Sequence, residues 1–88
     1  MPEDTNKPNA LTPGEVAVGL SFNPSAYTEV DEIKRLMARV FDIVERSVPS
    51  VPEDSTNEGY RKRKMRDAAL HEVVTAQMWA VKVVTLKL

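Results

Sequence analysis

The chain has no cysteine and a single histidine. The first absence excludes disulfides and thiolate metal sites. The second leaves His71 unable to assemble a zinc site alone. Charge of one sign is also lacking: 12 basic and 13 acidic side chains leave a net charge of −1. That balance supplies no global attraction for nucleic acid or for an anionic membrane surface. No apolar run approaches the roughly 20 residues that a membrane-spanning helix needs. The N-terminus, Met1-Pro2-Glu3-Asp4, is acidic and has no apolar h-region, so it does not read as a secretory signal. The expected location is the cytoplasm. No internal repeat or low-complexity segment stands out.

What remains is 88 residues, the length of one small domain. A chain this short buries only about 60 % of its unfolded surface and is marginal as a monomer. Small domains compensate with disulfides, a metal or partner subunits. With the first two excluded, oligomerisation is the expected route to stability.

The expected fold class is all-α, an antiparallel two-helix hairpin with a flexible N-terminal segment, assembled into a homo-oligomer. Residues 1–14 carry Pro2, Pro8, Pro13 and Gly14 among polar residues and read as a flexible tail. The hairpin domain is expected over residues 15–88. Its first stretch, 15–21, suits a short strand or one helical turn, and Gly19 argues against a longer element. Phe22-Asn23-Pro24-Ser25 reads as an extended segment and turn, because Pro24 pushes Asn23 away from helical angles. Thr28 is the expected N-cap of a helix over about 29–47, with Asp31 as the acidic half of a capping box. Glu29, Asp31 and Glu32 suit the positive end of its dipole. The apolar positions Val30, Ile33, Leu36, Met37, Val40, Phe41, Ile43 and Val44 recur at helical spacing and form a broad stripe. Lys34 and Arg35 are expected off that stripe. Pro49 and Pro52 end the helix.

Residues 48–57 form a polar connector short enough for a helical hairpin. Thr56 or Asn57 is the expected cap of a second helix over about 57–85, with Gly59 weakening its first turn. That helix opens with Arg61, Lys62, Arg63, Lys64 and Arg66. Cations there oppose the dipole, a broken local rule that raises a functional question. From Met65 the helix turns apolar, and over its last turns apolar residues lie almost all round. A single partner helix cannot bury such a surface. The stretch from Val81 to Leu88 also alternates well enough for a strand.

The candidate chemistry is sparse. No Ser-His-Asp, Cys-His or paired-carboxylate arrangement is readable, and Glu72 beside His71 does not face it on a helix. The expectation is a chain that is not an enzyme, with no catalytic residues, no cofactor and no metal. The Arg61–Arg66 cluster could meet phosphate, although a charge run is more often a solvated face paired with acids such as Glu53 or Asp54. It lacks the aromatic interleaving and basic pI of a duplex-DNA binder. Lys34 and Arg35 read as surface charges beside Asp31 and Glu32, and Phe22 and Tyr27 as staples of the helix start. Trp79, the single Trp, reads as a core or interface anchor.

The residues of Phe22-Asn23-Pro24-Ser25, then Val30-Asp31-Glu32-Ile33-Lys34-Arg35, then Ala76-Gln77-Met78-Trp79-Ala80-Val81-Lys82 together resemble the phage anti-CBASS type 2 family. The similarity spans roughly residues 20–86. Members of that family are small helical hairpins that act as sponges for the cyclic oligonucleotide messengers of bacterial immunity. The resemblance implies a homohexamer acting in the host bacterial cytoplasm. It implies sequestration of cyclic dinucleotides between subunits without cleavage, and in some members of cyclic trinucleotides at a separate site. CBASS antiphage signalling would thereby be blocked. It also implies an aromatic residue that stacks on a base, with Phe22 or Tyr27 nearest in position, and a cation early in the first helix, Lys34 or Arg35, that meets phosphate. Arg61 and Arg66 are further candidate ligand-binding residues. Neither duplex nucleic acid nor a membrane is an expected partner. The rival expectation is a small helical adaptor or inhibitor that binds a host protein through its apolar second helix.

Overall fold

Thr12, Pro13, Gly14 and Glu15 carry complete instructions for starting a helix. The Thr12 hydroxyl accepts from the Glu15 N–H at 3.1 Å, and the Glu15 carboxylate accepts from the Thr12 N–H at 2.9 Å. This reciprocal capping box satisfies two donors that a helix start leaves open, and Pro13 sits where its missing N–H is harmless. The resulting helix, α1 (Pro13–Ala17), is brief. It stops in a Schellman arrangement: Gly19 N–H bonds to Val16 O and Leu20 N–H to Glu15 O. Gly19 has a φ of +65°, the left-handed conformation that such a stop requires. The expected boundary between tail and domain, after residue 14, therefore falls inside α1, and the 15–21 stretch is a helical turn rather than a strand.

The computed structural model describes residues 10–23, 26–49 and 55–87. Most of the expected tail (1–9), the Pro24-Ser25 half of the expected turn and residues 50–54 of the connector lie outside the described residues.

Two long helices follow, α2 (Thr28–Arg46) and α3 (Asn57–Thr85). The N-cap of α2 is Tyr27, one residue before the expected Thr28, and it makes no side-chain cap bond. Asp31 does not complete a capping box; its carboxylate accepts from the Asn23 amide at 3.2 Å, and the same amide donates to Tyr27 O at 2.9 Å. Asn23 thus ties the turn before α2 to its first residues. Ala26 in that turn has a φ of +55°, a conformation that costs a residue with a Cβ about 1–2 kcal/mol. At its other end α2 closes through Ser47, whose N–H bonds to Val44 O. Thr56 caps α3 through its hydroxyl, which accepts from Gly59 N–H at 3.1 Å. The helix continues to Thr85 before Leu86 turns extended, so the Val81–Leu88 stretch, which could also have been a strand, is helical as far as Thr85; Leu88 lies outside the described residues.

The two long helices pack antiparallel. Lys34 near the start of α2 shares a pocket with Gln77 and Val81 near the end of α3, whereas Ile43 and Ser47 share a groove with Met65 and Ala69. A third strip of chain lies along α2 as well. Gly14 N–H donates to the Asp42 carboxylate at 2.7 Å. Gly19 and Phe22 meet Lys34, and Asn23 meets Asp31. Residues 14–23 therefore run back along α2 from its far end to its start. Gly14 permits this approach, because a Cβ there would collide with the Ala38 carbonyl.

The core that results is small. Among the described residues only Val18, Val30 and Ala38 are buried apolar side chains. Along α2 the buried ridge is Val30, Lys34 and Ala38, at the four-residue spacing of one helix face. Leu36, Val40 and Ile43, three of the eight positions of the expected apolar stripe, are exposed instead. On α3 the exposed large apolar residues are Tyr60, Met65, Met78, Trp79 and Val83, followed by Leu86 beyond its end. Trp79 is 63 % exposed, so it does not anchor the core of the single chain. Among the described residues no helix is long and apolar enough to cross a membrane.

Candidate functional site

The ridge that α2 buries contains a charge. Lys34 is only 4 % exposed, which corrects its expected position on the surface beside Asp31 and Glu32. Its ammonium donates to the Gly19 carbonyl at 2.9 Å and to the Phe22 carbonyl. Both acceptors are neutral, and among the described residues no carboxylate pairs with it. A buried cation is normally matched by an opposite charge, because desolvating it is costly. An ammonium has three donors, and the two backbone carbonyls leave one for another acceptor.

Beside it stands a ring. Phe22 is 71 % exposed, so it does not staple the start of α2 to the core. The Lys34 nitrogen lies 5.5 Å from its ring centre, within the range of a cation–π contact. Both residues line a pocket of about 400 Å³ with Val16, Gly19, Gln77 and Val81. The pocket sits where residues 16–22, α2 and α3 meet. Its size falls within the range of small-molecule sites. Its walls are mostly apolar, with Lys34 and Gln77 the polar side chains.

No family model, no curated protein and no solved structure matches the chain.

The remaining candidates are elsewhere. Tyr27 is half-buried at the start of α2 and is not among the residues lining the pocket; Arg35 is exposed on α2 and is not among them either. Arg61 pairs with Glu58 at 3.2 Å on the surface of α3, and Arg66 reaches Asp67 at 3.0 Å. Arg66 also borders the apolar groove at the opposite end of the hairpin. Glu53 and Asp54, the other acids expected near this cluster, lie outside the described residues. His71 is exposed on α3. Of the six residues expected to bind ligand, Phe22 and Lys34 share one pocket.

One pocket residue, Gln77, is absent from the sequence-predicted site, and the burial of another, Lys34, is not announced by its own helix. Lys34 was expected near a ligand but not as a buried group, because nothing local to α2 tells that residues 14–23 return over its face. Gln77 was overlooked altogether. A glutamine flanked by Ala76 and Met78 in an apolar stretch is a visible signal, since a polar residue on a buried face needs a partner.

Proposed function

We propose that the chain self-assembles and binds cyclic di- or trinucleotides, holding them intact as a sponge that blocks CBASS antiphage signalling. The observation that carries this reading is the Lys34 ammonium: buried, bonded to neutral carbonyls, and beside the exposed Phe22 ring at one pocket. A cation without a counter-charge suits an anion, and charge-assisted bonds to phosphate are the strong ones. A free aromatic face suits a base, because stacking is open to any base. A cyclic dinucleotide offers both groups at short range. The resemblance of residues 20–86 to the phage anti-CBASS type 2 family supports the same ligand class.

Self-assembly is supported by two apolar stripes left open on the single chain, Leu36-Val40-Ile43 on α2 and Met78, Trp79 and Val83 on α3. Exposed contiguous apolar surface marks an interaction site. In the proposed assembly, a homohexamer, these stripes bury one another and close the pockets. The same stripes favour the rival reading, an adaptor that covers them with a host protein. Mass decides between the two: sedimentation of the pure protein gives an oligomer for the sponge and a monomer for the adaptor.

Ligand binding is tested by incubating the protein with cyclic di- and trinucleotides, removing free ligand, denaturing by heat and weighing what is released. Intact cyclic ligand is the expected product. Linear nucleotides that accumulate with time would indicate an enzyme, and no recovered ligand would defeat the proposal.

A further inference from the structure

We infer that two copies of the chain pair antiparallel through the C-terminal half of α3, with Glu72 of each copy meeting Lys82 of the other. The inference rests on the self-assembly proposed above and not on the ligand. Ala68, Glu72, Thr75, Trp79, Lys82 and Leu86 recur at alternating steps of four and three residues, the spacing of a coiled-coil seam. Thr75 is half-buried and the other five are exposed. The seam is therefore open along its length, with Leu86 just beyond the end of the helix.

The two charges on this seam have no counterpart within one chain. Among the described residues Glu72 makes no ion pair, and the Lys82 ammonium meets only the Trp79 ring, 5.9 Å from its centre. Glu72 and Lys82 stand about 15 Å apart along the axis at 1.5 Å per residue, too far to pair with each other. A two-fold contact is self-complementary: if one residue meets a second across it, the second meets the first. Two copies of α3 that run antiparallel and cross at the level of Gln77 bring Glu72 against Lys82 on both sides of the axis. The same register sets small side chains against large ones, Thr75 against Trp79 and Ala68 against Leu86. Between Thr75, Met78, Trp79 and Lys82 the surface of α3 is already hollow, with a volume of about 340 Å³. That hollow lies where this register puts the other copy's indole ring. Other arrangements fail on charge. Parallel copies in register set Glu72 against Glu72 and Lys82 against Lys82. Antiparallel copies shifted by seven residues toward the helix start set Glu72 against Thr75 and leave it unpaired. Polar residues within an apolar seam fix register and direction in this way. Their contribution is to exclude other pairings more than to add stability.

The test is the mass of the full chain by sedimentation at one fixed concentration. Glu72→Lys and Lys82→Glu each set like charges together, which is strongly unfavourable at an interface, so each should weaken self-association by at least about tenfold. The double variant Glu72→Lys/Lys82→Glu restores opposite charges and should recover the wild-type mass. Both residues are exposed in the single chain, so the helical circular dichroism should persist in all three variants. Single variants that keep the wild-type mass, or a double variant that does not recover it, overturn this pairing and leave self-assembly standing through another surface. Direction is read separately, because the chain has no cysteine of its own. Glu72→Cys combined with Lys82→Cys should give a disulfide-linked dimer on oxidation, and neither substitution alone should. A linked dimer from Glu72→Cys alone overturns the antiparallel register. Wild type that sediments as a monomer overturns the self-assembly reading and this inference together.

Discussion

Replacing Lys34 with methionine removes the ammonium and keeps most of the stem. Two carbonyls, Gly19 O and Phe22 O, lose their donor. A hydrogen bond to a charged group contributes about 1.5–3 kcal/mol net. The two bonds share one charge, and the variant also escapes the cost of burying an unmatched cation. A net loss of roughly 2 kcal/mol is the resulting expectation, below the sum of about 3–6 kcal/mol that two independent bonds would give. For a domain of this size 1 kcal/mol corresponds to about 4–8 °C in Tm, so Lys34→Met should melt roughly 8–16 °C below wild type. The assay is thermal unfolding followed by circular dichroism at one fixed protein concentration, because self-association makes Tm concentration-dependent. A second set of scans contains cyclic di-AMP. Ligand at a hundred times its Kd should stabilise wild type by about 2.7 kcal/mol, and Lys34→Met should lose most of that shift. A ligand-free Tm within about 2 °C of wild type would refute the reasoning, because such indifference is what an exposed lysine gives. That indifference is what sequence alone led us to expect of Lys34; its burial reverses the expectation.

Other residues separate binding, assembly and folding. Phe22→Ala should leave the melting temperature nearly unchanged, given the exposure of the ring, while weakening ligand binding by about 1–3 kcal/mol in calorimetry. Trp79→Ala should keep the helical circular dichroism of the single chain but shift sedimentation toward smaller species, because the side chain is open to a partner rather than packed in the core. Gly14→Ala should cost about 1–3 kcal/mol in chemical denaturation, since its new methyl group meets the Ala38 carbonyl and the Asp42 carboxylate. Thr12→Ala should cost about 1 kcal/mol by the same measurement through loss of the capping box.

The long helices were legible because their signals are local. Helical spacing and the Pro49 stop marked α2, and Thr56 marked the start of α3. The capping box of α1 was equally local, Thr12 with Glu15 three residues on, but Pro13 and Gly14 drew the reading toward a loose tail. The face of α2 was harder. Apolar spacing pointed to a stripe that includes Leu36, Val40 and Ile43, whereas the single chain buries Val30, Lys34 and Ala38. Two causes account for the difference. Residues 14–23 return over α2 and bring carbonyls that no pattern within the helix announces. The stripe that remains exposed suits contacts between chains, which a reading of one chain cannot assign to a partner. For the site, a ring near Phe22 and a cation near Lys34 were within reach of sequence and resemblance. Their meeting at one pocket, and the presence of Gln77 there, depend on the packing of three segments far apart in the chain.

The short α1 and its Gly19 stop have a consequence for motion. A helix of five residues has almost no stability of its own. What keeps residues 13–22 on α2 is a handful of long-range bonds, from Gly14 N–H to Asp42 and from Lys34 to Gly19 and Phe22. These can break together while α2 and α3 stay paired, so this wall of the pocket is the segment most ready to open by local unfolding. Its amides should exchange with deuterium well before those in the middle of α2. A ligand held by Phe22 and Lys34 loses the ring when this wall lifts. Asp42 and Gly14 do not line the pocket, yet they hold the wall in place, so substitutions there should quicken release.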